Sequence, residues 1–446
     1  MGKYKILIII YLISVVSSVI ANFLGLDVQD LYRVPFINIR WIDIAILIVV
    51  GSYFYSLTRK NYLIREGSFI ILLCYIYLLF EAFQLAKTWQ ATDTGWQISG
   101  FLCTLSFFIL IDLSTFKISE SQILIFMKYL SLSGSLVLII TNGYLVYSFI
   151  SGNVIFTDLD IRASLDVIGA KESVTTDGLN AFVYAFSLYF IRNEMKLWKK
   201  LIYVAAIVSI YAALVIKLDR GGLITIITIT ILYILMFSRK PYQVINKIFV
   251  ISLVFIIFYY LFGNILREKG YDPIEKLTQT IQFSMDINNP DWEKGRSIPI
   301  EYAISAWRKN VFIGVGYIDL YHYGLPEGMG AAHNFIIASL FQRGIIGTGI
   351  YLLILIILYG NSIKFWGILA KTKSYQNDMF KILIVVSFFW FIPFMTQDVI
   401  WEKYSLSLQF VFLGIITNIY KQRKYSATTS NSLTSFQLIN KNLNSK

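Results

Sequence analysis

Charged residues and cysteines are both scarce in this chain, and each shortage excludes a class of protein. Aspartate, glutamate, lysine and arginine make up 15% of the 446 residues, whereas 57% are hydrophobic and the mean hydropathy is +0.64. A composition this apolar excludes an ordinary soluble globular protein. The two cysteines, Cys74 and Cys103, both fall inside apolar runs, which excludes a framework of disulfides.

Long apolar runs are what the chain has in abundance. Each is roughly 20 residues long, enough to cross about 30 Å of hydrocarbon, and together they predict an all-α polytopic membrane protein with about twelve transmembrane helices. The first run is expected to stay in place, because no clear signal-peptide cleavage site follows it. The predicted spans lie near 6–24, 41–57, 67–87, 98–116, 123–150, 178–192, 200–217, 222–237, 244–263, 345–363, 380–396 and 404–420.

The net charge of +12 is distributed unevenly between the segments that join these spans. If both termini are cytoplasmic, most lysines and arginines fall on the inner side, as the positive-inside rule requires. The excess of positive charge is therefore interpreted as a topology signal, and no nucleic-acid partner is expected.

Four parts are predicted along the chain. Residues 1–263 hold spans one to nine, residues 264–344 form a long extracytoplasmic loop, residues 345–420 hold the last three spans, and residues 421–446 form a cytoplasmic, disordered tail. The apolar piece 333–343 is too short to cross the bilayer and is expected to lie at the outer surface. The loop is polar and contains both histidines, so the chemistry is expected there.

Within the loop, apolar residues recur at helical spacing between Ile300 and Trp307. They predict an amphipathic helix along the membrane surface, with Pro299 in its first turn. The segment Gly314-Val315-Gly316 follows, and it permits a tight turn or the close approach of a ligand.

His333, in the sequence Ala-Ala-His-Asn, is the first candidate for catalysis. A neutral imidazole near the outer surface is suited to take a proton from a sugar hydroxyl near neutral pH. The alternative is a histidine that merely flanks a helix at the lipid headgroups. Asn334 either orients a substrate hydroxyl or caps the helix, and His322 is interpreted as a surface or sugar-stacking residue.

Arg220, followed by Gly221 and Gly222, is the second candidate. A guanidinium can hold two phosphate oxygens at once, and glycines allow the backbone to approach them. A turn at 218–222 on the outer face would suit a diphosphate whose lipid tail stays in the bilayer; the alternative is an arginine that snorkels from a span end. Arg296 and Arg343 are further candidates for contacts with phosphate or substrate.

Other charged residues are weaker candidates. Asp158-Leu159-Asp160 has the spacing found in metal-dependent sugar transferases, but an acidic outer loop explains it equally well, and no metal site is predicted. Asp112 and Lys128 lie in or near predicted spans, where a charge is a candidate for function. Both are close enough to a span end to reach water.

The order of these signals resembles the bacterial O-antigen polymerase and O-antigen ligase superfamily. The resemblance covers roughly residues 210–365, and the N-terminal half is similar in topology alone. It is carried by Asp219-Arg220-Gly221-Gly222 opening a span, by Gly295-Arg296, by Trp307 with the Ile-Gly-Val-Gly-Tyr turn, and by Ala-His-Asn with Gly344 and Gly347 downstream.

What the resemblance implies is a metal-independent, inverting glycosyltransferase of the bacterial inner (plasma) membrane, without a cofactor and with a GT-C-like arrangement. Its donor would be an oligosaccharide on undecaprenyl diphosphate, and its partners membrane lipid, a chain-length regulator and a flippase. In such proteins an arginine matching Arg220 is taken to hold the diphosphate, and a histidine matching His333 to activate the acceptor hydroxyl. Asp219 departs from the family pattern, in which a serine precedes the arginine.

Polymerase and ligase differ in the acceptor, which is another lipid-linked repeat in one and lipid A core in the other. The tyrosine-rich segment 317–323 and the divergent N-terminal half favour a polymerase tailored to one polysaccharide. A flippase or small-ion transporter is the alternative from another class. It would place functional polar residues near the bilayer midplane, whereas those of this chain concentrate on one face.

Overall fold

The computed structural model describes most of the apolar runs and part of the long loop. The described residues form α-helices and connecting turns, with no β-strand among them. They are 2–24, 41–58, 68–89, 94–151, 173–217, 220–238, 290–318, 320–325, 335–371, 374–389 and 406–424, with the single positions 242, 245, 260, 264 and 267.

The helices follow the predicted spans closely in position. They are α1 Gly2–Leu24, α2 Trp41–Thr58, α3 Ser68–Thr88, α4 Thr94–Thr104, α5 Phe107–Thr115, α6 Glu120–Ile150, α7 Ser173–Asn193, α8 Leu197–Lys217, α9 Arg220–Phe237, α10 Pro290–Arg308, α11 Phe335–Ala370, α12 Tyr375–Phe389 and α13 406–424. A short 3-10 helix, Leu320–Tyr323, lies between α10 and α11.

Five of the described helices are long and apolar enough to cross a membrane. They are Trp41–Thr58, Phe69–Thr88, Glu120–Ser148, Leu197–Leu214 and Phe335–Ala370. The prediction of an all-helical membrane protein is thereby confirmed, while the number of twelve spans stays a prediction. The predicted span 244–263 lies almost wholly outside the described residues.

Helix α3 shows how the chain is suited to a lipid surrounding. Its large apolar side chains Phe69, Leu72, Leu79 and Phe83 point outward and are more than half exposed. The opposite face is buried in the protein and carries polar side chains, among them Glu81. Apolar groups outside and polar groups inside reverse the pattern of a water-soluble protein, because hydrocarbon offers polar groups no hydrogen bonds.

Helix α13 lies at the centre of the bundle, where nearly every one of its residues is buried. Phe410 packs on Phe107 of α5 with ring centroids 4.6 Å apart. Phe412 packs on Phe182 of α7 with ring centroids 4.9 Å apart. Most side chains of α13 up to Tyr420 are apolar, and polar ones such as Gln409 and Asn418 bond within the bundle, so no face of this part must meet solvent.

One end of the bundle holds both the start of α1 and the end of α13. Lys3 of α1 forms an ion pair with the buried Asp112 of α5, which also accepts a hydrogen bond from the Tyr4 hydroxyl. Asn418 of α13 donates to the Phe116 carbonyl, directly after α5, at 2.7 Å. The Asp112 carboxylate is thus bound by side chains of α1 within the bundle. That this end faces the cytoplasm stays a prediction.

The predicted span 98–116 is divided in the structure. Helix α4 ends at Thr104 and α5 begins at Phe107, with a turn between them. The Thr104 hydroxyl donates to the Phe101 carbonyl at 2.6 Å, and the Ser106 hydroxyl donates to the Cys103 carbonyl at 2.6 Å. Hydroxyls bound to nearby backbone carbonyls weaken the helical ladder, although Ser52 and Ser209 form the same kind of bond within unbroken helices.

Helix α10 includes the residues Ile300–Trp307 that were predicted to be helical, but it begins earlier; its position along a membrane surface stays a prediction. Its first residue is Pro290, so Pro299 lies inside the helix and not in its first turn, as expected from sequence. Ala303 is fully buried, and the helix packs on α11 and on the 3-10 helix. Together they enclose a small hydrophobic core of their own, composed of Ala303, Ala306, Val315, Leu320, Leu325 and Phe341.

Candidate active site

The predicted residues around Arg220 lie at the beginning of a helix. Arg220 is the first residue of α9, and Gly221 and Gly222 form its first turn. Residues 220–222 are therefore helical rather than a tight turn, while 218–219 and the Arg220 side chain lie outside the description. The start of a helix directs amide N–H groups outward and favours negative charge there.

The other predicted contacts are only partly covered by the described residues. Arg296 belongs to α10, and its side chain is outside the description. His333 and Asn334 are also outside the described residues; they directly precede Phe335, where α11 begins. His322 is exposed on the 3-10 helix. Asp158 and Asp160 are outside the described residues.

Helix α11 is interrupted at Gly344. The sequence predicted a short helix before this residue and a long span after it, and the interruption separates these two parts. Gly344 has φ 63° and ψ −168°, which is not helical. Such a break leaves carbonyls without helical partners before it and amide N–H groups without them after it. The predicted short piece 333–343 thus corresponds, in its described part 335–343, to the segment before the break.

The segment 311–316 supplies those missing partners. It runs alongside the break and forms four backbone hydrogen bonds with it. They join Val315 N–H to Phe341 O (2.9 Å), Gly316 N–H to Gln342 O (2.8 Å), Ile345 N–H to Val311 O (2.9 Å) and Ile346 N–H to Phe312 O (3.0 Å). The break is therefore a joint between the loop and α11 that is held by backbone hydrogen bonds. We call residues 311–316 and 341–346 the helix-break joint.

Two glycines allow the two backbones of this joint to meet. A Cβ added to Gly314 would lie closer than 3.0 Å to backbone atoms of Gln342 and Arg343. A Cβ added to Gly344 would lie equally close to backbone atoms of Phe312 and Gly314. Both glycines also have positive φ, which side chains with a Cβ disfavour. The close approach foreseen for Gly314 is thus an approach of protein backbone.

A buried ion pair lies directly against the joint. The Arg343 Nε donates to Glu81 Oε1 of α3, with the two side chains 3% and 1% exposed. The Tyr317 hydroxyl donates to Glu81 Oε2 at 2.6 Å. Burial raises the pKa of Tyr317 well above its ordinary value, and the Glu81 charge raises it further, so this phenol stays protonated as the donor.

Two more side chains of α3 hold the loop. Gln84 Nε2 donates to the Ile313 carbonyl, and Lys87 Nζ donates to the Gly314 carbonyl at 2.7 Å. With Glu81 they follow one face of α3 at intervals of three residues, which is close to the helical repeat. We call Glu81, Gln84 and Lys87 the α3 clamp.

The α3 clamp was not identified from the sequence, although one signal for it exists. Glu81 is a carboxylate within a long apolar run, and such residues are candidates for function by default. Its partner Arg343 was identified, but the two are 262 positions apart. Among the described residues, no group of three or more His, Cys, Asp or Glu side chains is placed to hold a metal ion.

The site can be compared with known proteins. Residues 204–352 match the model of a protein family described as O-antigen ligase. This range begins in α8, includes Arg220, Arg296, His333 and Arg343, and ends after the helix-break joint. A search of curated proteins finds no match.

Proposed function

We propose that this chain, whose residues 204–352 match the family described as O-antigen ligase, transfers glycans from undecaprenyl diphosphate to an acceptor sugar at the outer face of the inner membrane. The observation that carries this proposal is the family match over residues 204–352. Every residue predicted from sequence to act in the reaction falls within that range.

Arg220 is proposed to hold the diphosphate of the donor. Its position as the first residue of α9 supports this role, because a helix start adds amide N–H groups and a positive dipole end to the guanidinium. Gly221 and Gly222 allow phosphate oxygens to approach this backbone closely. Arg296 would add a second positive charge as the leaving group departs, and Asn334 would orient the acceptor.

His333 is proposed as the general base. Its imidazole takes the proton of the acceptor hydroxyl while the hydroxyl oxygen bonds to the anomeric carbon of the donor. The bond from that carbon to the diphosphate oxygen breaks, and the electron pair leaves with undecaprenyl diphosphate. Attack opposite the leaving group inverts the anomeric configuration, and no metal takes part in this scheme.

Polymerase is the form of the reaction that we propose first, with ligase as the second candidate. In the tyrosine-rich segment 317–323, Tyr317 is buried against Glu81, while Tyr321 is 48% exposed and would contact the sugars of one polysaccharide. The family description as O-antigen ligase supports the second candidate. The acceptor decides between them.

Reconstitution of the purified protein in liposomes tests the proposal. The protein receives a repeat unit linked to undecaprenyl diphosphate, with or without lipid A core, and neither nucleotide sugar nor metal. A ladder of products without the core identifies a polymerase, and a single transfer that requires the core identifies a ligase. No transfer by folded protein from verified substrates would refute both and favour a transporter.

The two proposed catalytic residues are tested in the same assay. His333→Ala and Arg220→Ala should each lower the rate by about a hundredfold to a thousandfold, since each removes a group that acts on the transition state. Arg220→Lys should recover little, because a lysine cannot bind two oxygens in the same fork. Arg308→Ala, at an exposed arginine in the last turn of α10, is the control and should stay near the wild-type rate. A rate above about a tenth of wild type would remove the residue concerned from the mechanism.

A further inference from the structure

The segment that carries His333 is joined directly to a helix whose far end is fixed. Residues 335–343 form the part of α11 before the break, and His333 and Asn334 immediately precede them in the chain. The far end of this part is Arg343, which forms the buried ion pair with Glu81. The way in which Arg343 is held therefore determines the direction of the short helix, and with it the position of the helix start at Phe335.

The backbone hydrogen bonds of the joint hold residues 341–346, but they do not compensate the buried positive charge of Arg343. A buried guanidinium needs a carboxylate and hydrogen bonds, since it cannot shed its proton. Glu81 supplies the carboxylate, and Tyr317 of the loop binds the other oxygen of the same group. One carboxylate therefore connects three elements: α3, the loop and α11.

The pair is placed where orientation matters more than stability. A buried ion pair contributes little net stability compared with apolar side chains of the same volume. Apolar packing stabilises the rest of the bundle and could have done so here. We therefore expect the charged pair to contribute orientation in addition to stability. Its directional hydrogen bonds set an angle, which apolar contacts do not.

We propose that Glu81 is a positioning residue which, through Arg343, sets the orientation of the short helix and so of the His333 segment toward the acceptor. This inference rests on the proposed function. It extends the working site to α3, which lies outside the range 204–352 of the family match, and it assigns Arg343 to positioning instead of substrate contact.

The chain offers a matched control at the opposite end of the bundle. Asp112 is 1% exposed and has an ion pair with Lys3 and a hydrogen bond from Tyr4. Glu81 is likewise 1% exposed and has an ion pair with Arg343 and a hydrogen bond from Tyr317. The two clusters share a buried carboxylate that binds one cation and accepts from a tyrosine hydroxyl. They differ in location and in the exposure of the cation, which is 18% for Lys3 and 3% for Arg343.

The test replaces each ion pair by apolar residues, which removes the directional bonds without leaving one buried charge unpaired. The variants are Glu81→Leu with Arg343→Met, and Asp112→Leu with Lys3→Met. In liposomes the first should lower kcat by about a hundredfold, as a misplacement near 1 Å does, with the donor KM within about twofold of wild type. The second should change neither. A kcat near the wild-type value in the Glu81/Arg343 variant would overturn the inference. So would a rise in the donor KM at unchanged kcat.

Hydrogen exchange measures the same variants without any substrate. In the Glu81/Arg343 variant, amides of 311–316 and 335–346 should exchange about tenfold faster, because local opening governs their protection, while those of α6 and α8 stay at the wild-type rate. Unchanged exchange at the joint would refute the positioning role even if activity fell. A wild-type protein without activity would refute the proposed function, and the exchange result would still decide the role of Glu81.

Discussion

Gly344 combines a backbone conformation with a close contact, and a methyl group at this position would disturb both. Its φ of 63° and ψ of −168° fall in a region used almost solely by glycine. The added Cβ would also meet the backbone of Phe312 and Gly314. The helix-break joint therefore requires a residue without a Cβ at position 344.

We expect Gly344→Ala to open the joint and lower the transfer rate by at least about tenfold, with a loss of stability of about 1–3 kcal/mol from the strained backbone. Gly349→Ala is the matched control, because the Cβ at that position of α11 meets nothing within 4 Å. An alanine there should leave activity intact and raise stability by about 0.5–1 kcal/mol. Thermal unfolding in detergent, together with the liposome assay, measures both. Equal behaviour of the two variants would contradict the role of Gly344.

The sequence identified single site residues but not their partners. Arg343 was singled out because a guanidinium beside a glycine suits phosphate, and this reasoning could not foresee a carboxylate 262 positions away. Glu81 was not singled out from the sequence at all. Contacts across such a distance depend on how helices pack, which short-range patterns do not encode. The assignment of Arg220, Arg296, His333 and Asn334 stays a prediction.

The amide side chain of Asn418 joins α13 to the end of α5, and Gln422 adds a hydrogen bond to the Ile118 carbonyl at 2.8 Å. Asn418 Nδ2 donates to the carbonyls of Leu113 and Phe116, and its Oδ1 accepts from the Ile118 amide at 3.4 Å. The residue thereby provides partners for carbonyls at a helix end, which would otherwise be buried without any.

We expect Asn418→Leu to destabilise the protein by about 1–3 kcal/mol, since buried carbonyls lose their donors. Asn193→Leu is the control: its side chain donates to the Tyr189 carbonyl of its own helix at 2.8 Å, and its loss should cost less than about 0.5 kcal/mol. Unfolding midpoints in a denaturing detergent series compare the two. A larger loss for Asn193→Leu would mean that Asn418 does not tie α13 to α5.

Local patterns located helices better than they located helix boundaries. Apolar runs predicted α2, α6, α8 and α9 because the hydrocarbon thickness sets a minimum length. The turn between α4 and α5 escaped prediction, because a Thr or Ser in an apolar run is compatible with an unbroken helix. Pro299 was interpreted as a helix start, a position prolines favour, but the helix already begins with another proline, Pro290.

The orientation of the whole molecule is tested by chemical labelling. The positive-inside pattern predicts that Met195 lies on the cytoplasmic side and Phe312 on the outer side; their exposures are 94% and 69%. An impermeant maleimide should therefore label Phe312→Cys in intact cells and Met195→Cys after permeabilisation alone. The native Cys74 and Cys103 are buried, which keeps the background low. Labelling of Met195→Cys in intact cells would reverse the predicted topology.

The central position of α13 has a consequence for biosynthesis. Among the described helices it is the last that the ribosome delivers, yet it lies against α5 and α7, which are made far earlier. These helices must wait in the bilayer with their α13-facing surfaces covered by lipid, by one another or by an insertion factor. Assembly of the bundle is thus a post-translational event, and a polypeptide interrupted before residue 406 would have helices without a centre and be a substrate for membrane quality control.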